Sequence, residues 1–296
     1  MNSHDIYLIS PQIAMAVLAG LIVVIDLVIN DKRLVSGVAI LGLAAPLIFT
    51  LILWFDAPDD NVGLFGALVV DKFALFFQIL FVGVAALVFL AATKYQERFE
   101  GFRGEFVALM LFSLTGMMLL ASARELITMY VALELTSLPA AALIAWLRDD
   151  RSSEAGLKFL LMSALSSALL LFGIVFIYGF TGSTFFSEIV ARIADMQATG
   201  VMSADEPFGS YALMFGVVMV MLGLAFKLSS VPFQMWVPDI YEGSPTPVAA
   251  FLSVASKAAA FAIVLRLIYA ALPDPQVSMD TGNLFAVLAA VTMTVG

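Results

Sequence analysis

The sequence contains no cysteine and a single histidine, His4, in the polar start of the chain. Disulfides, thiolate metal centres, Fe–S clusters and cysteine nucleophiles are therefore excluded within these 296 residues, and so is a haem or metal site built from several histidines. If the protein works in a redox system, the redox centre is elsewhere. No glycine-rich strand-to-helix fingerprint of a nucleotide fold occurs. Charge is scarce as well: Asp, Glu, Lys and Arg make up 12% of the chain, against about a quarter in soluble domains. What is present is apolar, 62% of all residues, with a mean hydropathy of +1.04. A soluble fold of this size cannot hide so much apolar side chain. Composition thus excludes a soluble globular domain, a disordered chain and a nucleic-acid binder, and leaves a polytopic protein of the lipid bilayer. The net charge of −9 arises largely from acids between apolar stretches, such as Asp56, Asp59, Asp60, Asp205 and Glu206, a solvated-loop pattern.

A bilayer core takes roughly 20 apolar residues per helix. That length predicts spans at Ile6–Ile29, Leu34–Phe55, Phe73–Thr93, Phe106–Ala123, Leu126–Leu147, Leu157–Phe180, Tyr211–Val237 and Val248–Leu272, with a ninth beginning near Leu284. Met1 to Asp5 carry no basic region and no small-residue cleavage site follows, so the first run reads as a spanning helix and not as a removable signal. The run from Leu284 to Gly296 is too short to cross a core of about 30 Å, and the chain reads as the front part of a longer, truncated protein. Lys32, Arg33, Lys94, Arg98, Arg103, Arg148 and Arg151 follow odd-numbered spans, whereas Lys72, Arg124, Arg192 and Arg266 lie on the other side. The excess places the odd connections inside and the N-terminus outside. In the long connection from Thr181 to Ser210, Phe186, Ile189, Ile193 and Met196 recur at helical spacing, which predicts a short amphipathic helix covering the bundle.

Most cations sit at span ends, where a long side chain reaches the headgroups. Lys158, two residues into its span, fits that pattern, and Asp26, near Lys32 and Arg33, reads as an interfacial carboxylate. Three groups do not: Glu134, Lys227 and Lys257 fall deep within their spans, Lys227 roughly 24 Å along a helix from Tyr211. An ionisable group at mid-bilayer costs at least about 3 kcal/mol on insertion scales, so each calls for a partner, a water-filled cavity or a change of protonation. For one such charge a static ion pair between helices is an adequate reading. Three of mixed sign at similar depth can pass charge, because lysine carries an exchangeable proton whose affinity depends on solvation and neighbouring charge.

Lys227 lies five residues before Pro232, which removes an N–H and clashes one turn back. Carbonyls freed there must be satisfied by neighbours, by Ser229 and Ser230, or by water, and broken helices at mid-depth line cavities in ion transporters. Pro139 follows Glu134 by five residues. The polar turn Asp239-Ile-Tyr-Glu-Gly-Ser-Pro-Thr-Pro247 then leads into the helix that bears Lys257, with Pro247 suited to a first helical turn.

These residues carry a resemblance. Leu133-Glu134-Leu-Thr-Ser-Leu-Pro139, Lys227 with Val231-Pro232-Phe-Gln-Met-Trp236-Val-Pro238-Asp239, and Ile240-Tyr-Glu-Gly-Ser-Pro-Thr-Pro247 continuing to Ser256-Lys257-Ala258 resemble the proton-pumping, antiporter-like membrane subunits of NADH:quinone oxidoreductase, respiratory complex I. The Tyr-Glu-Gly turn and Lys257 favour the N branch over the L and M branches. The resemblance runs essentially end to end and implies an all-α antiporter-like bundle of two inverted five-helix repeats. Residues 1–104 would hold N-terminal helices, 105–272 the first repeat, and 273–296 the cut start of the second. It implies proton translocation through Glu134, Lys227 and Lys257, with Lys158 a weaker candidate. It also implies complex I membrane subunits as partners, a bacterial plasma (inner) membrane location, and NADH, FMN, Fe–S clusters and quinone on those partners, with no cofactor in this chain. The family commonly has histidine where Gln234 stands, and glutamine does not titrate near neutral pH. The same fold and charged pair also fit a subunit of a cation/proton antiporter or membrane-bound hydrogenase, and static pairs would fit a membrane scaffold.

Overall fold

The computed structural model of the chain describes residues 3–28, 32–56, 61–95, 102–199, 207–271 and 275–295. Ile29, Asp59, Asp60, Arg98, Asp205, Glu206, Leu272 and Gly296 lie outside the described residues, as do the side chains of Lys32, Arg33 and Lys94. Among the described residues, eight helices are long and apolar enough to cross a membrane: Ser10–Val28, Val35–Asp56, Lys72–Thr93, Arg103–Ser122, Leu126–Ile144, Asp150–Thr181, Tyr211–Gly243 and Thr246–Ala271. A shorter apolar helix, Phe285–Val295, follows.

The elements are α1 (Ser3–Leu8), α2 (Ser10–Val28), α3 (Lys32–Gly42), α4 (Ala44–Asp56), a hairpin of β1 (Val62–Gly63) and β2 (Leu68–Val69), α5 (Lys72–Tyr95), α6 (Arg103–Ser122), α7 (Leu126–Ile144) and α8 (Asp150–Thr181). They continue with α9 (Phe186–Ala198), α10 (Pro207–Leu228), α11 (Trp236–Gly243), α12 (Thr246–Phe251), α13 (Lys257–Ala271) and α14 (Pro275–Val295). Two starts differ most from the hydropathy reading. Helix α8 begins at Asp150, because Asp149 caps it by accepting the Ser152 N–H at 2.7 Å. Helix α14 begins at Pro275, a suitable first helical residue, ahead of a polar stretch that no hydropathy window registers.

Helix α6 is the axis of the bundle, with Phe106, Met110, Leu114 and Met117 wholly buried. It packs on α2 and α7, and α8 packs along α10. The α6–α7 and α8–α10 contacts depend on missing side chains. A Cβ on Gly116 would lie 2.7 Å from the Thr136 nitrogen, and one on Gly173 would lie 2.6 Å from the Gly216 carbonyl oxygen. Small residues that let backbones approach are how helices associate in lipid, where the hydrophobic effect does not drive them together. Asp26, read from sequence as interfacial, is buried and packs against Gly104.

At one end of the bundle the hairpin grips the short α6–α7 connection. Leu68 bridges to Ala123, while Glu125 bridges to Phe185 at the start of α9. Phe186, Ile189 and Ile193 of α9 are buried against the bundle, so its apolar face covers helix ends. At that end Arg266 of α13 holds the Asp71 carboxylate with two nitrogens, at 3.0 and 2.8 Å, and donates from Nε to the Ala121 carbonyl at 2.9 Å.

Candidate functional site

The seventh span is interrupted at depth. Helix α10 ends at Leu228, four residues before Pro232, on Ser229 with φ +58°. The Ser229 N–H bonds the Phe226 carbonyl at 3.0 Å and the Ser230 N–H bonds the Ala225 carbonyl at 3.1 Å. This pair of bonds is a Schellman motif, here with serine in the left-handed position where glycine is usual. The Trp236 indole N–H also reaches the Phe226 carbonyl, at 3.2 Å, and the Val231 N–H reaches Thr292 Oγ at 3.1 Å. Backbone groups that lipid could not satisfy are thereby satisfied within the protein. A single 3-10 turn, Phe233–Met235, leads to α11.

Lys227 occupies the last turn of α10. Its ammonium donates to Ser137 Oγ of α7 and to Ser163 Oγ of α8, the latter at 2.9 Å. The rings of Phe226 and Phe159 lie 5.3 and 5.5 Å from it, within cation–π range. Glu134 is one turn before Ser137 on α7, and among the described residues no ion pair joins it to Lys227. Ser137 also donates to the Leu133 carbonyl at 2.6 Å.

Lys257 stands on the other side of the interruption. Its ammonium donates to Ser229 Oγ at 2.8 Å and lies 5.9 Å from the Trp236 ring. Sequence spacing makes Lys257 a mid-helix residue. The structure agrees, with Lys257 in the middle of the continuous helical span Thr246–Ala271, and it adds a π-helical turn over Leu252–Ser256 directly before the lysine. Ser253 Oγ and Ser256 Oγ bond the Ala250 and Leu252 carbonyls, the kind of local bond that competes with the helical ladder.

Phe159, Phe226 and Trp236 form one ring cluster between the two lysines, with centroids 5.2 to 6.2 Å apart. Beside it is a cavity of about 20 Å³ lined by Ser137, Lys227, Trp236, Ser256 and others, room for about one water molecule. Gln234 buries its amide oxygen without a hydrogen-bond partner among the described residues. Lys158 is not part of this group. It pairs with Asp239 and Glu154, both at 2.7 Å, beside an Arg151–Glu242 pair, in an exposed cluster that ties α11 to α8. Among the described residues no group of three or more His, Cys, Asp or Glu side chains is placed to hold a metal.

Sequence reasoning did not find Ser137 and Ser163. Ser137 had a signal, since residue i+3 shares a helix face with Glu134. Ser163 had none, because only the docking of α8 on α10 brings it to Lys227.

Residues 123–296 match the family described as NADH:quinone oxidoreductase/Mrp antiporter, transmembrane. The chain is 40% identical over 291 residues to the NADH-quinone oxidoreductase subunit N of Dehalococcoides mccartyi, covering 98% of this chain and 59% of that protein. It is 41% identical over 269 residues to the protein of the same name from Heliobacterium modesticaldum, covering 90% and 53%. The chain thus spans somewhat over half the length of these relatives. Among solved structures it is similar to a chain of respiratory complex I from Thermus thermophilus with bound aureothin, at a TM-score of 0.74 and 32% identity, covering 96% of this chain and 57% of that one. A chain of an archaeal membrane-bound sulfane sulfur reductase, at 0.72 and 19% identity, covering 97% and 57%, shares the fold.

Proposed function

The chain belongs to the NADH:quinone oxidoreductase/Mrp antiporter transmembrane family, and from that premise we propose that it is a proton-translocating membrane subunit of NADH:quinone oxidoreductase. The observation that carries the proposal is the interruption between α10 and α11. One break in one helix seats two lysines, Lys227 on its α10 side and Lys257 on Ser229. A membrane scaffold has no use for two cations at such a place.

Glu134, Lys227 and Lys257 carry the proton in this reading. The Glu134 carboxylate sets how firmly Lys227 holds its proton, and a change at Glu134 releases or restores it. The proton then crosses the cavity lined by Trp236 and Ser256, through one water, and passes on to Lys257, which follows Ser256 in the chain and lies outside the cavity wall. The aromatic cluster keeps the rest of the space dry, so transfer follows the polar atoms alone. Gln234 orients water by hydrogen bonding without titrating. The Lys158 cluster serves as the polar approach at the α11 end, a lesser role than that of the three buried groups.

By the same reading the N-terminus faces outside a bacterial plasma membrane. Residues 105–272 form the first of two inverted five-helix repeats, after N-terminal helices in 1–104, and 273–296 begin the second. NADH oxidation, FMN, Fe–S clusters and quinone belong to partner subunits, and this chain contributes no redox centre. Affinity purification of the complex around the full-length subunit tests the proposal. NADH-oxidising, Fe–S-bearing partners are expected. Recovery with antiporter subunits and no redox centre would overturn it.

A further inference from the structure

Lys227 is held by hydroxyls, not by a carboxylate. A carboxylate partner would lock the ammonium form, because it only accepts hydrogen bonds at neutral pH. A hydroxyl both donates and accepts, so it can serve an ammonium and a neutral amine in turn. The two hydroxyls around Lys227 are not equivalent. Ser137 has its hydrogen committed to the Leu133 carbonyl at 2.6 Å, which leaves it only lone pairs to offer Lys227. Ser163, 2.9 Å from the same nitrogen, has no other hydrogen-bond partner among the described residues. Its hydrogen is free to turn toward the lone pair of a neutral amine. Both serines are buried, at 3% and 4% exposure, and of the two only Ser137 lines the cavity that has room for a water.

We propose that Ser137 and Ser163 are the positioning residues of Lys227, with Ser137 holding the ammonium form and Ser163 holding both forms by rotation of its hydroxyl. The pair keeps the nitrogen in place while its proton leaves and returns, so that Glu134 acts on a fixed target. Other charged groups on the helices packed around Lys227 are engaged elsewhere: Lys158 by Asp239 and Glu154, Lys257 by Ser229, and Arg266 by Asp71. Ser166, one turn beyond Ser163 on α8, already donates to the Gly223 carbonyl at 2.6 Å and cannot substitute.

The inference rests on the proposed proton route, and its test separates the two. Threonine and valine have the same shape, but only threonine keeps the hydroxyl. NADH-driven proton translocation is measured in membrane vesicles carrying the assembled complex with Ser163→Thr, Ser163→Val, Ser163→Ala or Lys227→Ala, normalised to complex content. The expected result is translocation lower by about ten-fold in the Val and Ala variants, the rate equivalent of one lost hydrogen bond to a charged group, with Thr well above Val. Equal rates in Thr and Val, or a wild-type rate in Ala, would overturn the hydroxyl seat. If Lys227→Ala is inactive in that case, the seat alone fails. If Lys227→Ala translocates normally, the proton route fails with it.

Discussion

Lys227 of α10 donates to Ser137, one turn beyond Glu134 on α7, and no ion pair closes between Glu134 and Lys227 among the described residues. The cation rests on Ser137 and Ser163 instead. A closed pair in a low-dielectric interior is held by many kcal/mol of Coulomb attraction and is hard to reopen. An open one leaves Glu134 able to bias Lys227 without trapping it. Glu134→Gln removes that bias and little volume. The complex should assemble, while proton translocation and NADH turnover fall together by about ten-fold or more, since a shift of about 1.4 kcal/mol in either step is ten-fold. Parallel assays of translocation and NADH oxidation in vesicles check this; unchanged coupling would contradict it.

Arg266 ties α13 to Asp71 and to the end of α6, and it is nearly buried, with 8% of its side chain exposed against 35% for Asp71. Arg266→Ala should destabilise by about 2–3 kcal/mol, less than the roughly 3–5 kcal/mol typical of fully buried pairs because Asp71 keeps contact with solvent. Arg266→Lys should recover only part of the loss, since lysine lacks the two-pronged geometry that meets both carboxylate oxygens. Thermal unfolding of the detergent-solubilised protein orders the two variants and the wild type.

The spans were legible in the sequence because each is a run of about 20 apolar residues, and their ends fall where charges or prolines stand. Glu134, Lys227 and Lys257 stood out because charge is so rare around them. Neither the hydroxyl seat nor the Arg266–Asp71 clamp was legible. Ser163 and Lys227 are 64 residues apart and Asp71 and Arg266 are 195 apart, and one sequence gives no sign of which helix faces meet. The hairpin at Val62–Val69 was also invisible, since two-residue strands carry no alternating pattern.

The α8–α10 contact gives a prediction about assembly. At Gly173 an added Cβ meets the Gly216 oxygen and the Val220 nitrogen, at 2.6 and 2.7 Å. Backbone atoms cannot yield as a flexible side chain would. Gly173→Val should force the helices apart at a cost of about 1–3 kcal/mol, and Lys227, which depends on α8 for Ser163, should lose function with it. A lower yield of assembled complex and a lower Tm are the expected readings.

Asp149 supplies the pH dependence. The Ser152 N–H and hydroxyl hold its carboxyl below the usual carboxylate range. A carboxyl depressed in the folded state stabilises above its unfolded value, about 3.9, and loses that contribution as pH falls through the lower folded value. Asp149→Ala should therefore lower Tm by a constant amount near neutral pH, and the gap should close only below about pH 4. A gap that closes around pH 6 would assign the stabilisation to another group.

The proton route itself is tested most directly at Lys257. Its ammonium rests on Ser229 and faces Trp236, with no carboxylate paired to it among the described residues. Arginine keeps the positive charge but holds its proton at any physiological pH. The decisive measurement is NADH-driven proton translocation in vesicles carrying assembled Lys257→Arg complex. If Lys257 passes a proton on, translocation is largely lost although charge is conserved. Near-wild-type translocation would contradict the account and leave Lys257 a structural countercharge.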